Sequence, residues 1–252
     1  MRISKTAQPD QYCKQQLQAL FLVLALSIPT MSYADPNTIT IGRGGDYPPY
    51  HWTQDGKAVG ICPDIIRAAA SALGINVVFK QFPWQRMLDF GKNGKVDAVM
   101  NLFKTPERES FLFFSQEPLA WEITSFYTRS DVKVPYEGNL HSLQSYNIGV
   151  VSGYSYGDLF DNADFLQKEP ALNDDQLIQK VHGRRHKIAI GNIEITKVLA
   201  NERNIKLNFL TPYVAKNALY IAFTRKKGRA YDKLSKDFSK AIHSIHMNEI
   251  DD

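Results

Sequence analysis

Cysteine is nearly absent from this sequence: 252 residues carry two, Cys13 and Cys62. Cys13 falls in a leader-like segment, which leaves Cys62 alone. A disulfide framework is thereby excluded, and Cys62 is expected as a small buried hydrophobe. Charge of one sign is scarce too. The formal net charge is +4, and no Lys/Arg stripe interleaved with aromatics occurs, which argues against a nucleic-acid partner. Long hydrophobic runs are also missing. The apolar run at residues 19–26 (ALFLVLAL) falls well short of the roughly 20 residues that span a bilayer. There is no tandem repeat and no low-complexity stretch, and residues 131–138 form the only linker-like segment.

Arg2, Lys5 and Lys14 give a positive region ahead of that run, and Ser32-Tyr33-Ala34 supplies the small-x-small pattern that signal peptidase cuts. Residues 1–34 are therefore expected to be a cleaved signal peptide that delivers the chain to the periplasm. No cysteine follows the run to make a lipoprotein site. The remaining length suits one large or two small domains and can bury a core without staples.

Short β-rich runs alternate with helical patterns, the signature of an α/β fold. Strands are expected at residues 38–42, 77–80, 96–101 and 123–128, with helices at 63–73 and 84–90. A second set follows, with strands at 148–151, 188–190, 206–210 and 219–224. Its helices are expected at 154–160, 174–182 (opened by Asn173), 193–204 and 231–246. Residues 125–129 (SFYTR) and 220–225 (YIAFTR) look alike, each an apolar run ending in Thr-Arg. They are read as paired crossover strands, one leading out to a second lobe and one returning.

With this organisation in place, the stretch from Gly45 to Ser115 resembles the amino-acid-binding extracellular solute-binding proteins, family 3, that serve ABC importers. The resemblance runs through Tyr47-Pro48-Pro49-Tyr50-His51-Trp52, Asp55-Gly56, Val59-Gly60 and Pro63-Asp64-Ile65. It continues in Pro83-Trp84, Gly94-Lys95-Val96-Asp97-Ala98, Thr105-Pro106-Glu107-Arg108 and Phe114-Ser115. Looser matches lie in residues 148–153 and 187–192. The resemblance implies a type 2 periplasmic binding protein fold, with two α/β lobes, two crossover strands and the ligand in the cleft. Lobe one is expected to comprise residues 35–127 plus 222–252, and lobe two residues 128–221. It also implies a monomer that binds an amino acid or similar small carboxylate and delivers it to an inner-membrane ABC permease, without catalysis or cofactor.

The family pattern implies roles for particular residues. Arg108 would take a carboxylate with parallel hydrogen bonds, helped by backbone N–H groups in the stretch from Asn101 to Phe103. Tyr47 and Trp84 would sandwich the ligand. In lobe two, Tyr154 and Ser155 stand at an expected helix start, where exposed N–H groups favour an anion. Asn192 stands where relatives place an Asp for the ligand's ammonium, and Glu194 close by is the candidate replacement. Two other readings stay open: an enzyme on the same scaffold, such as a dehydratase, and a sensory module for a receptor.

Two motifs point elsewhere. Gly153-Tyr154-Ser155-Tyr156-Gly157 matches G-x-S-x-G, and Asp161 or Asp175 with His182 would follow in hydrolase order. No HGGG-type segment precedes it. His182-Gly183-Arg184-Arg185-His186 has ligand-like spacing but lacks a third partner, so no metal is expected.

Overall fold

The computed structural model describes residues 37–250. The leader and cleavage site expected at residues 1–34 lie outside them. Among the described residues, no helix is long and apolar enough to cross a membrane.

The first part of the chain carries β1 (Thr38–Arg43), β2 (Trp52–Gln54), β3 (Lys57–Val59), α1 (Ile61–Ala72), β4 (Asn76–Gln81) and α2 (Trp84–Lys92). Then come β5 (Ala98–Leu102), α3 (Pro106–Glu109), β6 (Leu112–Phe114) and the ten-residue β7 (Ala120–Arg129). The second part carries β8 (Asn147–Val151), α4 (Asp158–Asp161), β9 (Gln167–Ala171), α5 (Asp174–His182) and β10 (Ile188–Asn192). It continues through α6 (Ile193–Glu202), β11 (Leu207–Phe209) and β12 (Ala215–Thr224), and α7 (Arg229–Ile250) closes the chain.

The main sheet runs β4-β1-β5-β12-β7-β10-β8-β9, with β6 on β12 and β11 on β7. Strands β4, β1 and β5 are parallel, as are β10, β8 and β9. Each parallel set forms the heart of one lobe, covered on both faces, and β5 and β10 are accordingly buried at every residue. In lobe one, α1 and α7 cover a core of Ile41, Ile66, Met100, Ile221 and Phe238, while Met87 of α2 packs against Val99 on the other face. In lobe two, Phe126, Phe160 and Ile188 fill one face; Leu177, Val181 and Ala200 fill the other.

The crossover lies elsewhere than the look-alike segments suggest. Residues 120–124 of β7 pair antiparallel with residues 215–219 of β12. Past that ribbon the strands part. Residues 124–128 join β10, whereas β12 turns to β5 and β6. The two Thr-Arg ends therefore belong to different lobes, and the residues before the SFYTR and YIAFTR runs carry the connection. A second difference is the helix expected at 154–160. Only Asp158–Asp161 is helical, because Gly157 takes φ +102°, outside the helical region and close to glycine's preserve. The chain from Ser152 to Gly157 is a loop.

Candidate functional site

A cavity of about 700 Å³ lies between the lobes. Its walls are built from element ends, where side chains leave the sheet toward the cleft, as expected for open α/β sheets.

Arg108 enters from α3. Thr105 caps that helix, its hydroxyl accepting from the Arg108 N–H at 3.3 Å, and Pro106 opens it. The guanidinium is buried. It donates from Nη1 to the Phe103 carbonyl at 2.9 Å and from Nη2 to the Gly153 carbonyl at 3.1 Å, with its carbon 5.6 Å from the Trp84 ring centre. Burial lowers its pKa to about 10, so it stays charged at neutral pH.

Trp84 opens α2 and donates its indole N–H to the same Gly153 carbonyl at 2.9 Å. Its ring meets Tyr154 edge-on, centroids 5.1 Å apart. Gln85 donates to the Ser152 carbonyl at 2.8 Å. The 152–153 backbone is thus held by three side chains of lobe one. Gly153 has φ +72°, and a Cβ there would lie 1.8 Å from Gln85 Nε2. Gly153→Ala is expected to lower stability by about 1–2 kcal/mol through the left-handed backbone alone. Chemical denaturation checks this, and an unchanged midpoint would contradict it.

Tyr47 and His51 line the cavity from the turn after β1, and Asn101 and Phe103 line it from the end of β5. His51 donates from Nε2 to the Gly45 carbonyl and accepts from Asn101 at Nδ1, 2.9 and 2.6 Å, an assignment fixed by the carbonyl partner. Burial lowers the His51 pKa to about 4, so the ring is neutral. Asn101 is itself at φ +58°.

Two acids complete the lining. Glu122 on β7 accepts from the Tyr47 hydroxyl at 3.2 Å, and Asp174, at the start of α5, accepts from the Tyr154 hydroxyl at 3.1 Å. Burial pushes the Glu122 pKa up to about 7. The Asn192 amide and Tyr47 hydroxyl oppose the shift, and Asp174 adds to it. Burial likewise pushes Asp174 to about 6. Neither acid is foreseen by the sequence. Asp174 resembles an ordinary first-turn helix acid, and Glu122 sits just before the run taken for a strand.

The remaining expectations divide. Tyr154 and Ser155 line the cavity but stand in the loop before α4, so they offer no helix start to an anion. The Ser155 hydroxyl donates to the Asp161 carboxylate, while His182 is exposed at the end of α5 and Asp175 pairs with Arg203. The G-x-S-x-G sequence therefore does not sit on the strand-turn-helix elbow that motif needs. Asn192 caps α6: its Oδ1 accepts from Glu194 N–H at 2.8 Å and Ile195 N–H at 3.1 Å, and its side chain is absent from the cavity wall. Glu194 is likewise absent; it faces solvent and pairs with Lys197 at 3.0 Å. No group of three or more His, Cys, Asp or Glu arranged to hold a metal occurs among the described residues.

Comparison with known proteins places this geometry among relatives. The family described as bacterial extracellular solute-binding proteins, family 3, matches residues 39–251. The probable amino-acid-binding protein YxeM of Bacillus subtilis (strain 168) is 20% identical over 228 residues, covering 86% of this chain and 82% of that one. A probable histidine-binding protein of Campylobacter jejuni is 27% identical over 103 residues. That match spans 38% of this chain and only 40% of that protein's length. Among solved structures, a histidine kinase sensor domain with similarity to periplasmic binding proteins superposes with a TM-score of 0.73 at 20% identity, covering 84% and 91% of the two chains. An ancestral arginine-binding protein bound to arginine gives 0.71 at 19% identity, covering 84% and 94%. At these identities the structural likeness establishes the fold.

Proposed function

Because the chain belongs to the bacterial extracellular solute-binding proteins, family 3, we propose that it captures an amino acid or similar small carboxylate in the periplasm and delivers it to an inner-membrane ABC permease. The observation that carries this reading is Arg108, a buried, charged guanidinium on the wall of the cavity between the two lobes. Two of its five N–H groups go to the Phe103 and Gly153 carbonyls; the other donors are left for a carboxylate. Trp84 and Tyr47 flank the solute. Closure is driven by contacts made to both lobes at once. No step in this role breaks a bond of the solute, and no cofactor takes part.

The test is a thermal-shift screen with amino acids, short peptides and organic acids. A solute present at about 100 times its Kd should stabilise the protein by about 2.7 kcal/mol. If no amino acid or small carboxylate shifts the melting temperature, the reading fails. The likeness to a kinase sensor domain supports a second reading, in which the same closed form docks on a receptor. Uptake of the labelled solute, lost on deletion of this protein, favours import; a lost transcriptional response with intact uptake favours sensing.

A further inference from the structure

The cavity has an acid end with no basic partner. Glu122 reaches it from the crossover strand β7, held by the Tyr47 hydroxyl and the Asn192 amide, and Asp174 from α5, held by the Tyr154 hydroxyl. The cavity's other acids are matched: Asp46 pairs with Arg43 at 3.0 Å, and Asp175 pairs with Arg203. Among the described residues, no ion pair reaches Glu122 or Asp174. Asn101 adds an independent sign of a missing donor. It is 7% exposed, it lines the cavity, and its Oδ1 has no hydrogen-bond partner, although buried amide oxygens are nearly always paired. The Cys62 thiol is close enough to interact with both Asn101 and Glu122, which puts those two side chains in one neighbourhood.

Tyrosine hydroxyls are neutral. They give a carboxylate a hydrogen bond but leave its charge uncompensated, and a buried uncompensated charge is costly. A solute cation would supply what is missing. Resting on the solute-binding reading, we infer that the ligand carries a cationic group that seats between Glu122 and Asp174 while its carboxylate lies at Arg108. This contact spans the crossover strand and lobe two, so it rewards the closed cleft. It also replaces the ammonium partner that Asn192 cannot provide, since its amide oxygen is committed to capping α6. Charge counting ranks the solutes. One guanidinium against two carboxylates favours an amino acid with one carboxylate and two cationic groups over a neutral one, and a neutral one over a dicarboxylate.

Titration calorimetry with lysine, arginine, glutamine and glutamate on the full chain tests the assignment. Wild type should bind a basic amino acid at least about tenfold tighter than glutamine, and Glu122→Gln and Asp174→Asn should each weaken it by about tenfold or more. A measurement without variants guards against misfolding. At pH 6.5 the solute cation should drive protons off the two carboxyls, seen as a dependence of binding heat on buffer ionisation enthalpy. The other groups facing them (Tyr47, Tyr50, Tyr154, Tyr156, Cys62) are held protonated and His51 neutral, so they contribute nothing there. Tight binding of glutamine or glutamate that survives both substitutions, or binding of a basic amino acid without proton release, overturns the inference and leaves the solute-binding reading standing. If wild type binds none of these solutes and none of the wider screen, both fall.

Discussion

Glu122→Gln is expected to stabilise the ligand-free protein at pH 8 by about 2 kcal/mol and to leave its stability at pH 4 nearly unchanged. The carboxyl is buried and its pKa is raised from the ordinary 4.5 to about 7. Below about 4.5 it is protonated in both folded and unfolded chains, and the amide mimics that form. As pH rises from 4.5 to 7 the unfolded chain releases its proton first, so the folded state loses relative stability. Above 7 the loss is complete and the advantage of glutamine reaches its plateau. The groups facing Glu122 are the Tyr47 and Tyr50 hydroxyls, the Cys62 thiol, the Asn192 amide and the Asp174 carboxyl, all neutral or acidic. None provides a compensating cation, and the pKa of about 7 already includes the opposing Tyr47 and Asn192 hydrogen bonds. Urea denaturation of both proteins from pH 4 to 8 measures it. A difference that stays flat across that range would contradict the burial argument.

Arg108→Ala is expected to weaken carboxylate binding by about a hundredfold or more. Truncating one member of a buried, hydrogen-bonded charge pair costs about 2–5 kcal/mol, much of it from the unmatched partner. The substitution also removes donors from the Phe103 and Gly153 carbonyls, although Trp84 still serves the latter. Arg108→Lys restores the charge without the planar fork and should recover only part of the affinity. Calorimetry against a solute identified by the screen decides the matter, and an alanine variant with unaltered Kd would remove Arg108 from the site.

The α/β alternation was legible because buried strands and amphipathic helices write distinct periods, and the helix beginning after Asn173 starts where its cap predicts. The acids of the cavity were not legible, for a physical reason visible on β7. There Trp121 is 54% exposed and Ile123 39%, whereas Glu122 is 6% exposed and Thr124 is also buried. The usual rule of apolar inward and polar outward is reversed where a strand crosses between lobes, because its inner face lines a polar cleft. Period-2 reasoning places Glu122 in solvent. Asn192 is a different case: an amide before an apolar helix serves as an N-cap, and that local duty takes the oxygen that a ligand would need. Residues 154–157 form a loop where a helix over 154–160 is expected: their composition permits one, and the backbone angle at Gly157 forbids it.

The three hydrogen bonds onto the Ser152 and Gly153 carbonyls come from Gln85, Trp84 and Arg108 across the cleft, protein to protein. Parting the lobes must break all three whatever is bound. A share of the barrier to dissociation is therefore common to every ligand, and it lengthens the residence time of every solute by the same factor. Differences in residence time between solutes must then come from the contacts each solute itself makes, on top of a latch that holds the cleft shut for all of them.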